Sequence, residues 1–354
     1  MVTEILDIEA INALAEEQPA PPAPRYRYIR PLENAANDLV EQIRNPEGRF
    51  MFNILPLDIM VRGIGPGDLC MVIGKSHSAK TQMLLNSVAN NPQANILWVT
   101  PDEVAELVLM KLITMTERID PVTLEEKLQA DDETTMAMVR QVATERFPNL
   151  IVVDKTVDAA QIEVALSEAC EHWNAPCDLV VYDYLELMPS EGGGHGGVTT
   201  NAQALKKIAK DHRVPMAVVH QSSRSGSKRG QGGGMDAMRF GGEAESTFVI
   251  ECFRKMDDED TDEYTREQHR HTVTASVVKN KRPPGSKGEV DLFIHENYGN
   301  VREIESGDVG TPRENEHRMV RRGGNESQSE MIARLRAERS ETPTTAVEPE
   351  REQF

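Results

Sequence analysis

"GDLCMVIGKSHSAKT", residues 67–81, decides how the rest of the chain is read. Leu69–Ile73 (LCMVI) is an apolar run of strand length. Gly74–Thr81 then follows the phosphate-loop pattern G-x-x-x-x-G-K-[ST] at every fixed position but one: Ala79 stands where the second glycine is usual. "KTQMLLNSVAN" continues with helical spacing. A strand, a loop of small residues and a helix in that order make a phosphate cradle. Backbone N–H groups point into the loop, and the helix N-terminus adds a favourable dipole. The cradle comprises Gly74, Lys75, Ser76, His77, Ser78, Ala79, Lys80 and Thr81. Lys80 is placed to reach the β- and γ-phosphates, and Thr81 to put its hydroxyl on Mg²⁺. The methyl of Ala79 is harmless at negative φ and costly at positive φ.

Outward from this loop the chain alternates strand and helix. Further apolar runs lie at 96–100 (ILWVT), 150–154 (LIVVD), 179–183 (LVVYD) and 215–220 (PMAVVH). Helical segments separate them, including a polar helical region over about 121–147. Continuous apolar strands with helical crossovers are the pattern of a parallel sheet buried on both faces. Asp183 ends the fourth run, within "LVVYDYLELM". An acid at the carboxyl end of such a strand can hold Mg²⁺ through water, and ligands of these sheets bind at that end. A glycine-rich loop, "EGGGHGG" (191–197), precedes the helix "NAQALKKIAKDH". Closely spaced β runs near 247–253, 272–279 and 289–295 predict an antiparallel extension. The acidic run "MDDEDTDEYTRE" (256–267) reads as a solvated hairpin tip. The fold class is α/β, with a central, mostly parallel sheet.

The bulk numbers set outer bounds. The 354 residues carry a net charge of -19, which argues against a basic coat but leaves room for a local basic patch. Cys70, Cys170, Cys177 and Cys252 form neither C-x-x-C nor zinc spacing, and read as small buried hydrophobes in a reducing compartment. No apolar run approaches the ~18 residues of a membrane span. The acidic N-terminus lacks a signal-peptide layout, so a soluble, cytoplasmic protein with no membrane partner is expected.

Four regions follow. Residues 1–30, with "QPAPPAP", read as a disordered arm. Residues 31–50 read as a linker helix with Ala35, Ala36, Leu39, Val40 and Ile43 on one face. Residues 51–304 form the globular domain. Residues 305–354 are charged, poor in large apolar groups and expected to be mostly disordered.

"GIGPGDLCMVIGKSHSAKT", "DYLELM", "LKKIAKDHRVPMAVVHQSSR" and "VVKNKRPPGSKGEVDLFIHENYG" occur in this order. Together they resemble the motor domain of DnaB-type replicative helicases, a superfamily 4 branch of the RecA-like P-loop ATPases. The resemblance runs from about Phe52 to Arg302. It implies ATP and Mg²⁺ as cofactors, with Lys80, Thr81 and Asp183 holding them and Thr81 and Asp183 nearest the metal. It also implies a homo-hexamer that hydrolyses ATP while moving 5′–3′ on single-stranded DNA, and a primase or helicase loader as partner. The region preceding the motor in bacterial replicative helicases has no evident counterpart, as in the stand-alone motors that phages encode. Location in a bacterial or phage-infected cell is implied with it. A RecA-like recombinase or strand-annealing ATPase, or a weakly hydrolysing replication scaffold or loader, stands as the alternative.

The resemblance also assigns catalytic roles. A gapless match of "TPDEVAELV" puts Asp102 at the family's water-polarising glutamate, with Glu103 next to it. Both acids equally suit the first turn of the following helix. Gln221 matches the γ-phosphate sensor. Lys279, with Lys281 or Arg282, matches a basic pair that enters the neighbouring subunit's site. Arg224, Lys228, Arg229 and Arg239, in a glycine-rich loop over 222–240, give a local positive patch suited to tracking a single strand.

Overall fold

The computed structural model describes residues 31–44, 48–190, 194–221, 242, 244–257, 261–305 and 308. The arm, most of the C-terminal tail and the loop bearing Arg224, Lys228, Arg229 and Arg239 lie outside the described residues. Helix α1 (Leu32–Arg44) belongs to a unit separate from Gly48 onward. Its Leu32, Leu39, Val40 and Ile43 are exposed.

The second unit opens with a short helix, α2 (Leu55–Val61), that the apolar periodicity did not predict. Pro56 pre-sets its first turn, and Arg62 ends it in the left-handed conformation. Strand β1 (Leu69–Gly74) and helix α3 (Lys80–Ala89) then flank the loop. The chain continues through β2 (Ile96–Val99), α4 (Ala105–Glu117), α5 (Pro121–Gln129) and α6 (Glu133–Gln141). A π-turn over Val142–Arg146 leads to β3 (Leu150–Val153) and α7 (Ala159–Trp173). Asp120, Asp132 and Asp158 cap α5, α6 and α7 by accepting backbone N–H groups of the first turn. Next come β4 (Leu179–Tyr182), α8 (Gly194–Asp211) and β5 (Met216–Gln221). The final run is β6 (Phe248–Phe253), α9 (Glu263–Gln268), β7 (Thr272–Asn280), β8 (Gly288–Ile294) and β9 (Val301–Glu303).

The nine strands form one sheet in the order β3-β2-β4-β5-β1-β6-β7-β8-β9. The first six are parallel, and the antiparallel extension begins at the β6–β7 pair. The run near 247–253 therefore belongs to the parallel part, because β6 pairs with β1 on the side away from β5. Every residue of β1, β2 and β4 is buried. On one face Leu57, Met83, Leu84, Leu112 and Leu124 pack against Val72, Trp98 and Val181. On the other, Ile162, Leu166, Leu205 and Ile208 pack against Met71, Leu97 and Val180. Each such side chain contributes about 1.5–3 kcal/mol by leaving water, so the helices on both faces fix the strand ends on which the site is built.

Two connections differ from the sequence reading. Helix α8 starts inside the glycine run, because the strong helix formers that follow propagate the helix backward. A Cβ at Gly197 would collide with Ser190, so glycine serves this close approach. The acidic segment after β6 folds into a 3-10 turn (Lys255–Asp257) and α9, whose first turn Asp262 caps, rather than a bare hairpin tip.

Candidate nucleotide-binding site

Parallel strands all present their carboxyl ends on one edge. Strand β1 sits where the connections diverge, since the chain leaves it toward β2 on one side and later returns to it as β6 on the other. A cleft of about 650 Å³ opens there. Its floor is the loop from Gly74 to Thr81. Gly74 lies against β6 so closely that a Cβ would meet the Cys252 carbonyl and the Ser78 hydroxyl. Glycine is needed there to seat the loop. Ala79 answers the question its sequence raised: its φ of 66° is left-handed, the unfavourable case.

The polar groups of the cleft converge. Lys80 is buried, and its Nζ donates to the Lys75 carbonyl at 2.7 Å within its own loop. Burial pushes its pKa below the ordinary lysine range, while the charges of Asp183 and Glu186 oppose that. The Thr81 hydroxyl donates to the buried Asp183 carboxylate. Burial raises Asp183 to about 6, with Glu103 adding to the rise and Thr81, Lys111 and Lys80 resisting it. Glu103 is half-buried and ion-paired with Lys111 of α4, whereas Asp102 is exposed at the rim. Gln221, last residue of β5, pairs in register with Gly74.

The cleft therefore brings together Ser76, His77, Ser78, Ala79, Lys80, Thr81, Asp102, Glu103, Asp183 and Gln221. It does not bring in Lys279, Lys281 or Arg282. Lys279 pairs with Val249 near the start of β6, at the amino end of the parallel strands. Lys279 Nζ lies 3.4 Å from Ser246 Oγ, and Lys281 Nζ donates to the Ala244 carbonyl at 2.5 Å. Arg282 is drawn inward. It donates to the carbonyls of Val61 (2.8 Å) and Gly63 (2.6 Å), pairs with Asp68 and lies over the Phe248 ring. Burial, with Arg49 and Arg62 nearby, lowers it to about 10.

Sequence reasoning missed part of the rim. Arg254, His295 and Glu296 also line the cleft. The β8–β9 turn that carries His295 and Glu296 is tied to the loop's own helix: Gln82 and Asn86 of α3 both donate to the Gly299 carbonyl, at 2.7 and 2.9 Å. His295 stacks on Tyr298 with centroids 4.1 Å apart. Only the "HENYG" segment of the family-like ending hinted at this.

The donor set fits a nucleotide phosphate chain with a divalent cation. Ser78 Oγ is buried with no hydrogen-bond partner among the described residues, and the Lys80 ammonium is turned to a neutral carbonyl. Asp183 is a buried carboxyl group, raised by that burial, with Lys80 and Lys111 near enough to act on its charge.

Comparison with known proteins identifies the family. The DnaB-like helicase C terminal domain family matches residues 52–303. The replicative DNA helicase DnaB of Haemophilus influenzae is 21% identical over 296 residues, 80% of this chain and 62% of that protein. That of Mycoplasma genitalium is 22% identical over 251 residues, 67% of this chain and 53% of that protein. The chain thus spans less than two thirds of either relative. Among solved structures, one described as an ATPase domain superposes with a TM-score of 0.63 at 16% identity, covering 78% of this chain and 100% of that one. A DnaB-like replicative helicase, described with its interactions with primase, superposes at 0.64 and 18% identity, covering 84% and 71%. The resemblance read from the motifs and the RecA-like α/β fold are both borne out. The chain belongs to the DnaB-like helicase C-terminal domain family.

Proposed function

We propose that this chain is the ATP-driven motor of a DnaB-type replicative helicase, coupling ATP hydrolysis to 5′–3′ movement on single-stranded DNA as a hexameric ring. The observation that carries the reading is the convergence of Lys80, Thr81, Asp183, Glu103 and Gln221 on one cleft above a phosphate loop. Lys80 leaves the Lys75 carbonyl for the phosphates. Thr81 and Asp183 orient the cation's shell, and the cation, when bound, spreads the charge of the phosphate chain. Glu103, held by Lys111 and facing Asp183, is better placed than the exposed Asp102 to polarise the attacking water. Gln221 reads the γ-phosphate at the end of β5. Lys279 and Lys281 complete the site of a neighbouring subunit, and Arg282 serves its own fold.

The 222–240 segment, with Arg224, Lys228, Arg229 and Arg239, supplies sequence-tolerant contacts to the DNA backbone. Helix α1 acts as the linker between subunits. A primase or a loader is the expected protein partner, since one structural relative is described with primase. The place of action is the cytoplasm of a bacterial or phage-infected cell; among the described residues no helix is long and apolar enough to cross a membrane.

The test is Mg²⁺-dependent ATP hydrolysis with and without single-stranded DNA, beside Lys80→Ala. The expected result is turnover that DNA stimulates and the variant lacks. Turnover no greater than that of the variant would sink the motor reading.

A further inference from the structure

We propose that Glu186 positions the sensor Gln221, locking the turn behind Asp183 to the end of β5; this rests on the ATPase reading above. Glu186 lies three residues past Asp183, in the 3-10 turn Leu185–Leu187. The β4–β5 ladder ends at the Tyr182–Val218 pair, so β5 runs three residues beyond the partner on that side. A strand end of this kind leaves backbone donors that need a new acceptor. Glu186 Oε1 supplies it, accepting the Gln221 N–H at 2.7 Å. A carboxylate makes this a charge-assisted bond, stronger than the ladder bond it replaces.

The surroundings confine the carboxylate to this task. His220 is fully buried, and its Nδ1 contacts the same oxygen at 2.9 Å. That contact is not aligned as a hydrogen bond, and neither ring nitrogen has a hydrogen-bond partner among the described residues. This close polar contact limits the direction the carboxylate can take. Glu186 Oε2 is buried and also has no such partner, so both polar contacts of the carboxylate, to the Gln221 N–H and to His220, are made by Oε1. The charge of Glu186 acts on Lys80 as well. One side chain thus joins the phosphate lysine by its field, the metal-side aspartate through a short stretch of chain and the sensor by a hydrogen bond. Fixing the Gln221 backbone fixes where its amide enters the cleft, and small misplacements at such distances lower rate rather than binding.

The experiment measures kcat and KM for ATP in Glu186→Ala, Glu186→Gln, Gln221→Ala and the double variant Glu186→Ala/Gln221→Ala. Glu186→Ala should lower kcat about 10-fold with KM within about 3-fold of the parent. Glu186→Gln keeps an oxygen acceptor and should stay within about 3-fold in kcat. With Gln221 already truncated there is nothing left to position, so Glu186→Ala should lower kcat no further. Should Glu186→Ala not fold, Glu186→Asp withdraws the acceptor by one methylene and takes its place. Multiplicative losses in the double variant, or Glu186→Gln falling as far as Glu186→Ala, would overturn the positioning role alone. An unaltered chain without Mg²⁺-dependent turnover would overturn the ATPase reading and the proposal with it.

Discussion

The Thr81 hydroxyl is hydrogen-bonded to the Asp183 carboxylate across the floor of the cleft, yet Asp183 still titrates near 6 because burial outweighs that bond. Its unfolded counterpart titrates near 3.8. Between these values the folded state holds more protons, so stability falls as pH rises through the window and is lowest above it. A difference of this size corresponds to about 3 kcal/mol. In metal-free, nucleotide-free protein, Asp183→Asn should therefore raise the unfolding midpoint at about pH 7.5, with no gain below about pH 4. Excess Mg-ATP should stabilise the parent and not the variant. Thermal unfolding in chelator at the two pH values checks this, and an equal gain at both would contradict the assignment.

Ala79 concerns the loop's conformation rather than its charge. At φ 66° and ψ 23° its Cβ opposes the backbone, and the residue sits directly before α3. An L-residue in this region costs about 1–2 kcal/mol, of which glycine's freer unfolded chain returns part. Ala79→Gly should thus stabilise the protein by about 0.5–1 kcal/mol and leave ATP turnover equal or higher. Ala79→Val should do the reverse, because branching at Cβ worsens the clash. Urea unfolding of the three proteins measures the order Gly, Ala, Val. A destabilised glycine variant would mean that the alanine methyl makes a contact worth more than the strain.

The layered fold was legible because buried parallel strands write themselves as unbroken apolar runs; all six parallel strands stood where β runs were read, the sixth (β6) having been read into the antiparallel extension. The cradle was legible for a related reason: its pattern is local and contiguous. What escaped depends on distant parts of the chain. Arg282 reads as a free cation until α2 and Asp68, more than two hundred residues earlier, close around it. Glu186 hides inside an apolar motif, and its role depends on where β5 outruns β4. Strand β9 is three residues long, too short to read from the sequence, and its first residue is tied to α3, where Asn86 Oδ1 accepts the Val301 N–H. The choice between Asp102 and Glu103 hangs on the rotation of one turn, which no residue count fixes.

That choice is testable. Glu103 is held by Lys111 and acts electrostatically on Asp183, while Asp102 faces solvent. Removing a properly placed general base lowers rate by about 100-fold or more without weakening nucleotide binding. Glu103→Gln should show that loss in kcat with ATP affinity retained, and Asp102→Asn should stay within about 3-fold of the parent. Lys111→Ala should lower kcat less than Glu103→Gln, since it frees the carboxylate's direction but leaves the base. The opposite ranking of Glu103→Gln and Asp102→Asn would return the role to the residue that the gapless match selects.

Arg282 and Lys281 are sequence neighbours with different surroundings, the first held within the fold and the second exposed, so their substitutions should separate stability from assembly. The Arg282 guanidinium serves the Val61 and Gly63 carbonyls and Asp68, whose Oδ2 also accepts the Gly65 N–H at 2.7 Å. Removing one partner of such a half-buried network leaves the others unpaired, so Arg282→Ala should destabilise by about 3 kcal/mol. Arg282→Lys should recover only part, because lysine lacks the planar fork. Lys281 is exposed, and Lys281→Ala should change stability by less than about 0.5 kcal/mol. It should nevertheless abolish turnover if its ammonium completes a neighbour's site. Lys80→Ala should be inactive for a different reason, in its own cleft. Mixing the two inactive variants then creates interfaces in which one subunit supplies Lys80 and the next supplies Lys281, and ATP turnover should reappear on mixing. Inactive mixtures from subunits shown to co-assemble would place Lys281 outside the catalytic interface, and an active Lys281→Ala alone would do so at once.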